Sequence, residues 1–224
     1  MKGYGQHCPI AKGAEVLAER WTPLVVRNLY LGAETFSQIL EGVPRMSRTL
    51  LADRLRALER QGVVTRRPAS GRAGRYKLTA AGRELADVIL ALGTWGARWL
   101  DLTVADRDPF IVLWAWKQYL ERERLPRQRV VVRFVITDRP EDRFWLVLSR
   151  DDVALSVRPP GPSDDLVVTT DNDTLIGVHM GRLDLREAER GGRWRTEGAP
   201  ELVSAFPSWG GLSHFAGVRP ERAS

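Results

Sequence analysis

Midway along the chain the spacing of apolar residues changes period, and no single layer of structure can satisfy both halves. Before the change, Leu51, Leu55 and Leu58 recur at the i, i+4, i+7 spacing of one helix face. After it, RVVVRFVIT places Val130, Val132, Phe134 and Ile136 at every second position, the pattern of a strand with one buried face. A chain of 224 residues lies between one and two domains at roughly 150 residues each, so the switch predicts two. The boundaries expected are residues 1–104, residues 105–218 and a polar tail, 219–224.

With 43% apolar and 28% charged residues, both parts have the composition of packed globular domains. The longest uninterrupted apolar run, residues 110–116, has seven residues, against about 20 for a membrane-spanning helix. The opening MKGYGQHCPIAKG lacks the apolar stretch of a secretory signal. A cytoplasmic protein without a membrane partner is expected.

In the first part, Thr22-Pro23 supplies a helix start, with Thr22 as N-cap, and Gly32 a stop. Thr35 and Gln38 have capping-box spacing for a short second helix, which Gly42 and Pro44 end. Ser47 then caps the leucine-striped helix, which closes at Gly62 and leaves Arg48, Thr49, Ala52, Asp53 and Arg56 facing outward. Two short helices joined by a tight turn, the second with a basic outer face, form a helix-turn-helix. VVTRRPA and RYKLT read as strands separated by SGRAG, a hairpin that would lie beside the second helix as a wing.

Charge reinforces this reading. Residues 60–83 hold seven Lys or Arg and no acid, and residues 1–104 carry 16 Lys/Arg against 9 Asp/Glu, whereas the remainder carries 18 against 19. Basicity confined to one domain points to a polyanion, double-stranded DNA ahead of a membrane surface. Ser47, Arg48, Thr49, Arg54, Arg56, Arg67, Arg72 and Arg75 are the candidate DNA-binding residues, with Arg54 and Arg56 contacting phosphates or supporting the helix. Thr79 caps a long helix whose Leu85, Val88, Ile89, Leu92, Trp95 and Trp99 form a wide apolar face, either a homodimer seam or a surface for the second domain.

Cys8 is the sole cysteine, which excludes an intrachain disulfide and the usual zinc ligand sets. His7, His179 and His214 are scattered, so no metal site is expected. No P-loop, GxGxxG or GxSxG is present, and neither catalysis nor a cofactor is expected. If Pro9 begins a helix, the Cys8 thiol sits at its positive end with Lys12 a turn away, an arrangement favouring thiolate.

CPI at 8–10, RWTPLVVRNL at 20–29, FSQIL at 36–40, SRTLLADRLRALERQGVV at 47–64 and YKLTAAGREL at 76–85 together resemble the HxlR-type winged-helix transcription regulators, relatives of the MarR-like group. The resemblance covers about the first hundred residues. It implies a homodimer on an inverted-repeat operator, with the recognition helix in the major groove and the wing alongside. Cys8 falls at the family's N-terminal cysteine, which in some members senses oxidants or electrophiles.

In the second part, residues 106–109 form a junction before a helix over PFIVLWAWKQYLERERLP. The strands RVVVRFVIT, DRFWLVLS and DVALSVRP form an antiparallel meander, and DLVVTT is a fourth strand. Asp171 or Asp173 caps TLIGVHM, Asp184 opens LREAERGG, RWRTEG is a fifth strand, and PELVSAFPSW a last helix. The class is α+β, with a largely antiparallel sheet. From 167 to 206 the sequence resembles the sterol-carrier-protein-like domain, which implies a cavity for lipids or other apolar small molecules. Phe134, Trp145, Leu146, Met180, Phe206 and Trp209 are the candidate pocket residues.

The function expected is a dimeric DNA-binding transcription regulator, controlled by an apolar effector in the C-terminal domain, by Cys8, or by both. The alternative is a lipid or small-molecule carrier, or an enzyme, that uses its helical domain only to dimerise.

Overall fold

The computed structural model describes residues 3–69, 72–101, 103 and 106–221. The chain forms two compact units, Met1–Gly96 and Ala97–Ser224.

The first unit contains α1 (Pro9–Leu17), α2 (Thr22–Tyr30), α3 (Phe36–Glu41), α4 (Arg48–Arg60), strands β1 (Val64–Ala69) and β2 (Arg72–Leu78), and most of α5 (Ala80–Trp99). Local capping chemistry sets several boundaries. Thr35 Oγ1 accepts from Gln38 N while the Gln38 side chain accepts from Thr35 N, the reciprocal box expected. Ser47 Oγ accepts from Leu50 N at the start of α4, and Thr79 Oγ1 accepts from Gly82 N at the start of α5.

Helix α2 departs from expectation by one residue. Trp21, at φ 76°, takes the left-handed turn and the N-cap position, so Thr22 becomes the first helical residue. Its hydroxyl is buried and lacks a hydrogen-bond partner instead of capping. Leu51, Leu55 and Leu58 join Val25, Val26, Leu29 and Ile39 in one core, each leucine contributing about 2 kcal/mol by its removal from water.

In the second unit, α6 (Pro109–Gln118) precedes a five-stranded sheet in the order β5-β4-β3-β6-β7. Its strands are β3 (Val130–Ile136), β4 (Arg143–Leu148), β5 (Val153–Ser156), β6 (Leu166–Thr170) and β7 (Trp194–Gly198). Neighbours pair antiparallel except β3 and β6, which run parallel with Phe134 opposite Val168. Between β6 and β7 lie α7 (Asn172–His179) and α8 (Leu185–Arg190), and α9 (Pro200–Ala205) follows β7. Asp171, rather than Asp173, caps α7 through Thr174 N, and Asp184 caps α8 through Glu187 N.

Three details differ from the sequence pattern. Strand β3 buries Val131 as well as the alternating set, because side chains pack on both of its faces. Helix α6 stops at Gln118, short of the expected span. There the backbone turns to meet 209–211: Glu121 N donates to Trp209 O at 2.8 Å, and Gly211 N to Tyr119 O at 3.0 Å. Gly210 permits that approach, since a Cβ there would lie 2.8 Å from Tyr119 O. The last expected helix ends at Ala205 and tightens into a 3-10 turn over Phe206–Trp209, where Pro207 supplies no N–H.

Candidate nucleic-acid interface

With Leu51, Leu55 and Leu58 buried, α4 turns Ser47, Arg48, Thr49, Leu50, Asp53 and Arg56 to solvent, while Ala52 is half-buried. Of the expected contacts on this helix, Arg48 rests with its guanidinium 5.1 Å from the centre of the Phe36 ring, a cation held by a neighbouring aromatic face. Arg56 pairs with Asp53 at 2.5 Å. Arg54 differs from both. Its guanidinium turns to the segment between α1 and α2, where it reaches Glu19 at 2.6 Å with a side chain only 15% exposed. This is the supporting geometry of the two considered for it.

The hairpin pairs Arg67 with Arg75 and Thr65 with Lys77 across β1 and β2. Like charges directly opposite destabilise a ladder. Relief comes from outside the acid-free stretch: Glu34, at the turn before α3, meets Arg75 and Lys77 at 2.8 Å each. Its own carbonyl accepts from Tyr76 N at 2.7 Å, so the same residue ties the wing to the helix-turn-helix by backbone and side chain. Both cations hold the Glu34 carboxyl below the usual glutamate range, Lys77 most strongly through its hydrogen bond. No acid is paired with Arg67 among the described residues, which leaves it the more available wing cation. Arg66 lies over the Tyr76 ring at 5.9 Å. The Arg72 backbone belongs to β2, but its side chain falls outside the described residues.

Glu34 and Lys77 were not among the expected site residues. The signal for Glu34 was the opposed Arg67 and Arg75, a pairing that calls for an acid, but it becomes visible only once the register is known.

Cys8 stands at the N-cap of α1, half-buried, with its carbonyl accepting from Lys12 N at 3.1 Å. The Lys12 ammonium is turned to Glu15 at 3.0 Å.

In the second unit a groove of about 570 Å³ is floored by Trp116, Val178, Leu183, Leu185 and Phe206 and edged by Glu121, Arg124 and Arg186. Of the six expected pocket residues, Phe206 lines it. Phe134 and Leu146 instead fill the core, because alternation on inner strands places large side chains between layers, and Trp209 is buried with them from the 3-10 turn after α9. Trp145 is buried with its indole N–H donating to Asp164 at 2.9 Å, and Met180 is half-buried outside the groove lining. Beside the groove, the rings of Trp116 and His179 stack with centroids 5.9 Å apart. His179 Nδ1 lies 2.6 Å from Gly211 O, so that nitrogen carries the proton. Burial pushes the imidazole below its ordinary range, opposed by the bond to Gly211.

Among the described residues no group of three or more His, Cys, Asp or Glu is placed to hold a metal ion, and no helix is long and apolar enough to cross a membrane.

Residues 16–104 match the family model of the HxlR-like helix-turn-helix. The HTH-type transcriptional regulator YvaP of Bacillus subtilis is 34% identical over 102 residues, 44% of this chain and 94% of that protein. The HTH-type regulator sll1512 of Synechocystis is 36% identical over 99 residues, 43% of this chain and 73% of its own length. Among solved structures, diamide-treated YodB from B. subtilis is 32% identical over 41% of this chain and 93% of that one, with a TM-score of 0.36.

Proposed function

The chain belongs to the HxlR-like helix-turn-helix family of transcription regulators, and from that premise we propose that it acts as a homodimer on an inverted-repeat operator, under the control of a ligand in its C-terminal domain. The observation that carries the DNA-facing part is the division of α4. Its leucine stripe is buried, and the opposite face presents Arg48, Thr49 and Arg56 beside a hairpin rich in cations. That face suits a major groove, and Arg67 and Arg72 suit the flanking phosphates.

The dimer is supported by α5. Val88, Leu92, Trp95 and Trp99 are between 41% and 52% exposed and are spaced by four, three and four residues, the repeat of a helix-helix seam. Two such helices would fix the separation of two recognition helices.

The strand, Asp171-capped helix, Asp184-capped helix and late strand support a sterol-carrier-like C-terminal domain, and the groove beside Phe206 is its proposed effector site. Its apolar floor and charged edge suit a largely apolar molecule with one polar end. Control follows from linkage: a ligand that favours one spacing of the recognition helices changes operator affinity by its differential binding to the two states. Oxidation or alkylation of Cys8 would be a separate input, tested by titrating oxidant against Cys8→Ser.

Genomic footprinting with purified protein, followed by salt-titrated binding to the recovered sites, tests the proposal. Arg67→Ala and Arg72→Ala should each weaken all sequences about equally and lower the salt slope by about one, while Arg48→Ala should alter sequence preference. Lipid transfer or turnover without any salt-dependent DNA binding would overturn the reading in favour of a carrier or enzyme.

A further inference from the structure

The outermost line of α4 is not uniformly basic. Thr49, Asp53, Arg56 and Arg60 recur at one-face spacing, roughly 170° around the helix from the leucine stripe at 3.6 residues per turn. Asp53 occupies the middle of that line with its side chain 57% exposed. It holds Arg56, whose Nε also points at Ala52 O at 3.4 Å, so the guanidinium is folded back toward the N-terminal end of the helix.

This placement costs DNA affinity twice. A carboxylate at the centre of the face repels a polyanion of any sequence, and it occupies a cation that could otherwise meet a phosphate. Nor does the fold repay the loss, because an exposed i,i+3 ion pair adds little stability. What compensates a carboxylate in a major groove is an exocyclic amino group, and the usual partner of Asp there is the N4 amino group of cytosine.

We infer that Asp53 is a specificity-determining residue of the recognition helix, accepting a hydrogen bond from a cytosine amino group in each half-site while Arg56 fixes the carboxylate's orientation. Guanine and thymine at that position face the carboxylate with acceptors or a methyl group, and adenine sets its amino group beside the N7 acceptor, which repels the second carboxylate oxygen, so the acid works mainly by rejecting wrong sites. The inference rests on the DNA-binding reading above.

The test uses the full chain, its Asp53→Asn and Asp53→Ala variants, and selection from a pool of random duplexes. Affinity for selected and unselected DNA is then measured across a salt series, after circular dichroism has shown equal helix content. The wild type should enrich cytosine at one position per half-site. Asp53→Ala should lose that preference alone, bind random DNA several-fold more tightly, show a salt slope steeper by about one, and discriminate roughly tenfold less well. Asp53→Asn should shift the same position toward adenine, whose N6 and N7 an amide pairs. One motif common to all three proteins, with every affinity raised by the same factor, would overturn the inference and leave DNA binding intact. A wild type that enriches no sequence and shows no salt dependence would remove the DNA-binding reading, and the inference with it.

Discussion

Glu34 and Arg75, 41 residues apart in sequence, meet at 2.8 Å, and with Lys77 on the same carboxylate they fasten the wing to the turn before α3. The wing is therefore positioned by an acid that the hairpin itself lacks. Because the Glu34 carboxyl is held below its ordinary range, its contribution to stability is complete above that range and is lost as pH falls through the depressed value. Glu34→Gln should lower the urea midpoint at pH 7 by the equivalent of no more than about 1 kcal/mol, since the carboxylate is partly solvated. The gap between variant and wild type should close toward pH 3. A gap unchanged by acid would mean that the carboxylate charge is not what holds the wing.

Gly82 and Gly96 lie on the same helix, α5, yet the same substitution should have opposite signs at the two positions. A Cβ on Gly82 would collide with the carbonyl oxygen of Val63, backbone that cannot swing aside, whereas at Gly96 nothing lies within 4 Å. Gly82→Ala should therefore destabilise by about 1–3 kcal/mol through overpacking. Gly96→Ala should stabilise by roughly 0.5–1 kcal/mol, the usual gain from removing glycine inside a helix. Chemical denaturation of the two variants checks both, and equal shifts would contradict the close approach of α5 to residue 63.

What could be read from the sequence followed the distance over which each interaction acts. Ser47, Thr35, Asp171 and Asp184 cap helices by bonds to residues three places on, so their roles were visible in short motifs. The outer face of α4 was equally legible, because the leucine period fixes its opposite side. Glu34 was not, since nothing near it in sequence shows that β2 returns beside it. The end of α6 depends on Gly210 and Gly211, and the turn at Trp21 on a backbone conformation that an aromatic side chain does not announce. In the second unit alternation identified large buried groups, but it does not distinguish the wall of a groove from a filled core. The groove is walled mostly by Leu183, Leu185 and other residues at the ends of helices and turns, where no period applies.

The exposed seam on α5 makes a prediction about assembly. In the proposed dimer, Trp95→Glu would place a charge on the apolar surface that a second copy is to cover, and light scattering should then register a monomer. Binding to an inverted repeat should fall by far more than binding to an isolated half-site, because only the dimer engages two recognition helices at once. A Trp95→Glu protein that remains dimeric would move the interface away from this helix.

His179 gives the second unit a pH dependence whose sign is fixed by burial. The imidazole sits against Trp116 with Nδ1 bonded to the Gly211 carbonyl, and removal from water lowers its proton affinity relative to the unfolded chain. Between the depressed folded value and the ordinary histidine value of about 6.5, the unfolded state binds more protons than the folded one. Stability must therefore fall as the pH drops through this window, and the loss levels off below the folded value. Denaturation of the wild type should show a declining midpoint from pH 7 to pH 5. His179→Gln keeps a hydrogen-bond donor but cannot titrate, so it should be less stable at pH 7 and show a shallower decline. Parallel curves for the two proteins would mean that the pH dependence arises elsewhere, while a wild type that gains stability toward pH 5 would require a charged imidazole in the core.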